Sequence, residues 1–153
     1  MAALTHAWHD MGHDFRDELH DLGSIARVDA ARQAFLGLWV AFFAGTLLFG
    51  LDKLIAFTDT AWTQFLATWV DDVLPGTMAD AVMWIGAAEI VIAALILFVP
   101  RIGGDVLALW MLLTAISLFM VDGMMMLGIG ALAVGVCAVA MARLATKWHH
   151  TEG

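Results

Sequence analysis

The stretch ADAVMWIGAAEIVIAALILFV, Ala79 to Val99, followed at once by Pro100 and the Gly103-Gly104 pair, decides how the rest of the chain is read. Its only ionisable residue away from the ends is Glu89. Crossing about 30 Å of hydrocarbon takes roughly 20 apolar residues in a helix, because each residue rises about 1.5 Å and no backbone polar group can turn to water. This segment has that length and that character. Three more runs meet the same standard: about 34–57, uncharged from Gln33 to Leu51; about 104–121, bounded by Asp105 and Asp122; and about 124–145, uncharged before Arg143. Asp122-Gly123 is too short for anything but a tight reversal between neighbouring helices. The sequence therefore predicts an all-α integral membrane protein, an antiparallel four-transmembrane-helix bundle over 31–147, preceded by a surface helix in 1–30 and followed by a polar tail, 148–153.

Composition agrees with the bilayer. Of the 153 residues 62% are hydrophobic and 14% charged, where a soluble domain has about 45–50% apolar residues. A formal charge of −8, with seven Lys and Arg in the whole chain, excludes nucleic acid as a partner. The lone Cys137 excludes a disulfide framework and any Cys-based metal site. Basic residues fall unevenly: Arg16, Arg27, Arg32, Arg101, Arg143 and Lys147 share one side of a four-span layout, and Lys53 alone is on the other. By the excess of positive charge on cytoplasmic ends, both termini are expected in the cytoplasm, in a multi-pass protein of the cell membrane. No secretory signal peptide is expected, since the first apolar run is preceded by an acidic, His-bearing stretch rather than a basic one.

Two segments are amphipathic without being long enough to span. From the N-terminus, Leu4, Trp8, Met11, Phe15, Leu19, Leu22 and Ala26 share one helical face, which predicts a helix lying along the membrane surface or in a partner's groove, with Trp8, Met11 and Phe15 as its anchors. In the outer connection Trp62, Phe65, Leu66, Trp69, Val70 and Val73 repeat the pattern before Pro75-Gly76. Trp62, Phe65 and Trp69 are its expected membrane or partner contacts.

An ionisable residue at membrane depth costs at least about 2.5–3.5 kcal/mol to insert, so each is a candidate for function. Glu89 is the deepest, with Thr46, Thr114 and Ser117 at similar depth as hydrogen-bonding neighbours. It reads either as a proton carrier or polar anchor for a ligand such as a quinone carbonyl, or as a protonated acid joining two helices. Asp52, Lys53 and Asp122 lie nearer the outer surface, and matching depth predicts a Lys53–Asp122 ion pair locking two helix ends, or else a polar floor, with Glu89 beneath it, for a pocket opening outward or sideways into lipid. No histidine falls in a span, which excludes a haem held by two histidines within the bundle. His6, His9 and His13 form a stripe that could ligate a metal, with a solvated polar face as the simpler reading. Gly128, Ala131, Gly135, Ala138 and Ala142 make a small-residue stripe, a packing face for a helix of this chain or of another subunit. No nucleophile with its base and no phosphate-binding loop is present, so no catalytic residue is assigned.

Phe49-Gly50-Leu51-Asp52-Lys53-Leu54 at the end of the first span, and Gly86-Ala87-Ala88-Glu89-Ile90 in the second followed by a basic turn at Arg101, resemble the motifs of the DoxX-like family of small four-helix membrane proteins. The resemblance covers about residues 35–142. Ala93 and Ala94 stand where family members often carry Gly, and the acidic N-terminal helix is not a usual family element. The resemblance implies association with membrane redox systems such as quinol oxidase or thiosulfate:quinone oxidoreductase assemblies, with Lys53 and Glu89 as the family-like polar residues. The leading expectation is thus an accessory subunit of a larger redox complex, holding no covalent cofactor and contacting quinone or lipid at its bundle. The alternative is an autonomous oligomeric transporter or proton conductor using Glu89 and the outer charges.

Overall fold

The computed structural model of the protein describes residues 15–24 and 27–149, with side chains as far as Lys147. Every regular element among the described residues is helical. A segment over residues 15–23, α1, leads to α2, Ala30–Ile55. After a 3-10 turn at Trp62–Phe65 and the short α3, Trp69–Val73, come α4, Met78–Phe98, α5, Pro100–Phe119, and α6, Met125–His149. Helices α2, α4, α5 and α6 are long and apolar enough to cross a membrane. Between 28% and 39% of each one's most apolar stretch is buried, so most of their hydrophobic surface faces outward. Leu48, Phe49, Trp84, Val91, Met126 and Val136 are among the exposed side chains. So much outward apolar surface is matched to lipid and would not be stable in water.

The ends of these helices follow from local chemistry. Asp29 caps α2, its carboxylate accepting from the backbone N–H groups of Ala31 and Arg32. The Arg32 N–H is the main reason that the Asp29 carboxyl titrates below its ordinary value. Thr77 and Asp80 form a reciprocal capping box on α4. Pro100, which directly follows the apolar run, is the first residue of α5; its fixed φ suits that position and its missing N–H is not needed there. A single non-helical residue, Val99, separates α4 from α5.

Two helix pairs result. Trp39 meets Ile96 while Gly50 meets Gly86, so α2 and α4 run antiparallel. Gly104 meets Ala138 and Ala142, Gly135 meets Ala108 and Met111, and Gly128 meets the Phe119 ring, so α5 and α6 do the same. The small-residue stripe of α6 is therefore the packing face for α5 of its own chain, with Ala138 and Ala142 fully or almost fully buried.

At the Pro100 end the pairs close on each other. Phe35, Leu36, Ile96, Leu107, Met141 and Ala145 form one core cluster there, each at most 2% exposed. A Cβ on Gly103 would lie 2.4 Å from the Ile96 backbone nitrogen, which shows how tightly α5 folds back on α4. The Ile96 carbonyl, one of the last four of α4 and without a helical partner, accepts the Trp39 indole N–H at 2.8 Å. Helix α1 rests on this core through Phe15 and Leu22, with the Phe15 ring against Trp39 and Phe98. An Asp21–Arg32 ion pair of 2.9 Å ties it to α2. Its inward face differs from the expected one: Glu18 is buried and Leu19 is 49% exposed, so Phe15, Glu18 and Leu22 point inward and the partner of Phe15 is the chain's own bundle. Trp8 and Met11 lie outside the described residues.

Candidate functional site

At the Asp122 end the two helix pairs leave room between them, and the connection from α2 to α4 fills part of it. The connection, expected to hold one short amphipathic helix, carries the 3-10 turn at Trp62–Phe65 and the short α3. Leu66 is extended between the 3-10 turn and α3, because the segment is held at two separate points. One is the Trp62 indole, donating to Asp52 at 2.7 Å, and the other is the Ala67 N–H, donating to Ser117 Oγ at 3.2 Å. Trp62, Phe65 and Trp69 accordingly turn inward and roof a cavity of about 560 Å³. Its walls come from Phe49 and Lys53 on α2, Ile85 and Glu89 on α4, the Trp110–Leu118 stretch of α5, and Leu127 and Ala131 on α6.

Lys53 and Glu89 meet in the wall, Nζ to Oε2, at 2.7 Å, with side chains only 8% and 11% exposed. Two glycines make this possible. A Cβ on Gly86 would fall 2.8 Å from the Lys53 Cβ, and one on Gly50 3.1 Å from the Glu89 Cβ, so each helix gives up a side chain where the other carries its charge. Side chains lean toward the N-terminus of their own helix. In an antiparallel pair, Lys53 therefore leans toward the Pro100 end and Glu89 toward the Asp122 end, and the two converge. The predicted Lys53–Asp122 pair is thereby corrected: Asp122 is exposed in the turn before α6, where Gly123 takes φ of 78°. Matching depth alone had ignored the direction in which the two stems lean.

The ammonium has further contacts. It sits 4.0 Å from the Trp62 ring centroid and 5.7 Å from that of Phe49, distances at which an aromatic face attracts a cation. Nζ also donates to the Phe49 carbonyl at 3.4 Å, and the Trp110 side chain lines the same cavity as Glu89. Thr114 lines the cavity but donates to the Trp110 carbonyl, and Ser117 is spent on Ala67. Thr46 is buried on α2 and is not part of the lining. Asp52 is buried, not free: it accepts from the Thr58 N–H and hydroxyl and from Trp62, each at 2.7 Å.

The site thus unites Lys53, Glu89, Thr114 and Ser117, adds Asp52 through the roof, and leaves out Thr46 and Asp122. Trp62 joins the site as a hydrogen-bond donor and Trp110 as part of the lining; the pattern of apolar positions put the first at the surface and gave no sign of the second. The repeated spacing Gly50-x-x-Lys53 and Gly86-x-x-Glu89 was the available signal for the pair. Among the described residues no group of three metal-ligating side chains occurs, and His6, His9 and His13 lie outside them. No family model matches the chain, and neither a curated protein nor a solved structure matches it.

Proposed function

We propose that the protein is a small multi-pass subunit of a respiratory or quinone-linked redox complex in the cell membrane, related to the DoxX-like family, and that its cavity holds the head of a quinone-class lipid. The observation that carries this reading is a buried ion pair facing an apolar cavity. A pair kept only to join α2 to α4 could be replaced by apolar residues of similar volume at little loss of stability. A pair beside a cavity offers more, because the ammonium has three donors and two are occupied. Its net charge is zero, which favours a neutral head with acceptor oxygens over an anionic one. Aromatic rings and aliphatic side chains around it suit a planar ring and an apolar tail. With both termini cytoplasmic, the cavity faces the outer leaflet, and the packed core beneath it supports a binding site rather than a path through the bundle. The ligand is not covalently held, and the protein supplies position and polarity rather than redox chemistry of its own.

Purification in mild detergent tests the proposal. Cytochromes or flavoproteins are expected at fixed ratio with the chain. The double variant Lys53→Met/Glu89→Leu, which leaves no unpaired charge, is expected to assemble while quinone-linked turnover of the complex falls about tenfold or more. A homogeneous homo-oligomer that moves protons or solutes in vesicles would overturn the subunit reading. Undiminished turnover in the assembled double variant would overturn the quinone site.

A further inference from the structure

Asp52 and Lys53 are neighbours in sequence but grip one residue, Trp62, in different ways. The carboxylate of Asp52, itself 2% exposed, accepts the indole N–H at 2.7 Å, while the ammonium of Lys53 lies over the indole face at 4.0 Å. The ring is further bracketed by Phe49 and Phe65, with centroids 5.9 and 6.0 Å away. Trp62 therefore stands between the charged pair and the exposed segment 56–61. That segment contributes no buried side chain, and its anchorage is the set of hydrogen bonds to Asp52. Segments with few buried contacts open at low free energy, and an opening here is governed by how firmly Asp52 holds.

We propose that Trp62 is the gate of the cavity and that Asp52 is the positioning residue that keeps it closed, so that an amphiphilic molecule reaches the Lys53–Glu89 pair when the indole N–H leaves the carboxylate. The inference rests on the reading of the cavity as a ligand site. Asp52 does not touch the ligand. It acts through the indole, and Thr58, donating twice to the same carboxylate, keeps that acceptor aligned. A hydrogen bond to an ionised, buried acceptor is stronger than a neutral one, which makes this bond the controlling contact of the roof.

The test measures access without needing to know the ligand. In full-length protein in lipid nanodiscs, with the exposed Cys137 replaced by alanine, Thr114→Cys reports on the cavity and Ala145→Cys, 0% exposed, on the packed core at the Pro100 end. Labelling by N-ethylmaleimide needs thiolate and hence water at the sulfur. Trp62→Phe keeps a ring against Lys53 but loses the donor, and it is expected to raise labelling of Thr114→Cys about tenfold or more while leaving Ala145→Cys unchanged. Asp52→Ala, which also drops both Thr58 bonds, should raise labelling at least as much, and adding Trp62→Phe to it should raise labelling no further, because the indole bond is already gone. Unchanged labelling of Thr114→Cys in folded Trp62→Phe protein would overturn the gate, even where Asp52→Ala fails to fold. An equal rise at Ala145→Cys would overturn it too, since the bundle would then have loosened as a whole. Decyl-ubiquinone, added at saturation, is expected to protect Thr114→Cys. A rise with Trp62→Phe and no protection would leave the gate standing and overturn the quinone reading alone.

Discussion

The two ends of the helix bundle are built from the same four helices to opposite effect. At the Pro100 end a one-residue connection, a glycine pressed on backbone and a buried indole-to-carbonyl bond pull the two helix pairs together around Phe35, Leu36 and Met141. At the Asp122 end the α2–α4 connection is more than twenty residues long, and its aromatic side chains roof a cavity rather than filling it. Both ends use a tryptophan N–H as a tie, Trp39 to a backbone carbonyl and Trp62 to a carboxylate. Only the second tie can be released without exposing the main core, which separates a packed end from an open one.

The largest expected effect comes from leaving one charge of the cavity wall unpaired. Lys53→Met should destabilise the protein by about 3–5 kcal/mol, because Glu89 would stay buried without its cation, and Lys53→Met/Glu89→Leu should recover most of the loss. Thermal unfolding in detergent measures both. Failure of the double variant to recover would mean that the pair holds the ends of α2 and α4 together, and the division between a stabilising end and an open one would be wrong.

Next in size is Gly103→Ala. Its Cβ would fall 2.4–2.6 Å from the backbone of Leu95 and Ile96, which cannot yield as a flexible side chain would, so a loss of about 3 kcal/mol is expected. Gly135→Ala, whose Cβ would meet Met111 at an ordinary 3.4 Å, should be nearly neutral. Matched tryptophan changes then compare the two ends directly. Trp39→Phe strands the buried Ile96 carbonyl and should cost about 1–3 kcal/mol, whereas Trp62→Phe should shift the melting temperature less, its acceptor Asp52 keeping both bonds from Thr58. Equal losses would show that the roof is as firm as the core.

The four long helices were legible because nothing but a span needs twenty successive apolar residues. Their ends were less so: α2 begins at Ala30 rather than near residue 34, since the helix continues through Arg32 and Gln33 to a cap at Asp29 that apolar counting does not see. Lys53 and Glu89 stood out as intramembrane charges, but their pairing did not, because depth is a one-dimensional measure and side-chain lean is a direction. The break at Leu66 was hidden because periodicity registers the apolar positions 62, 65, 66, 69, 70 and 73 without registering that Asp52 and Ser117 pull on the segment from two helices. For α1 the wheel was turned by one position, since the Asp21–Arg32 pair fixes its rotation and carries Glu18 inward.

The smallest expected effect probes the hinge of the open end. Ala56, just past α2, is the one described residue other than glycine with positive φ, at 48°. Its left-handed turn lets the Ala56 N–H reach the Asp52 carbonyl and brings Thr58 back to the Asp52 side chain. An L-residue with a Cβ pays roughly 1–2 kcal/mol for that conformation, and glycine avoids it while losing more freedom on folding. Ala56→Gly should therefore raise stability by about 0.5–1 kcal/mol and leave labelling of Thr114→Cys unchanged, because the grip of Asp52 on Trp62 is untouched. A drop in stability would mean that the left-handed turn is not what positions Thr58. A marked rise in labelling would move control of access from the Asp52–Trp62 bond to the hinge itself.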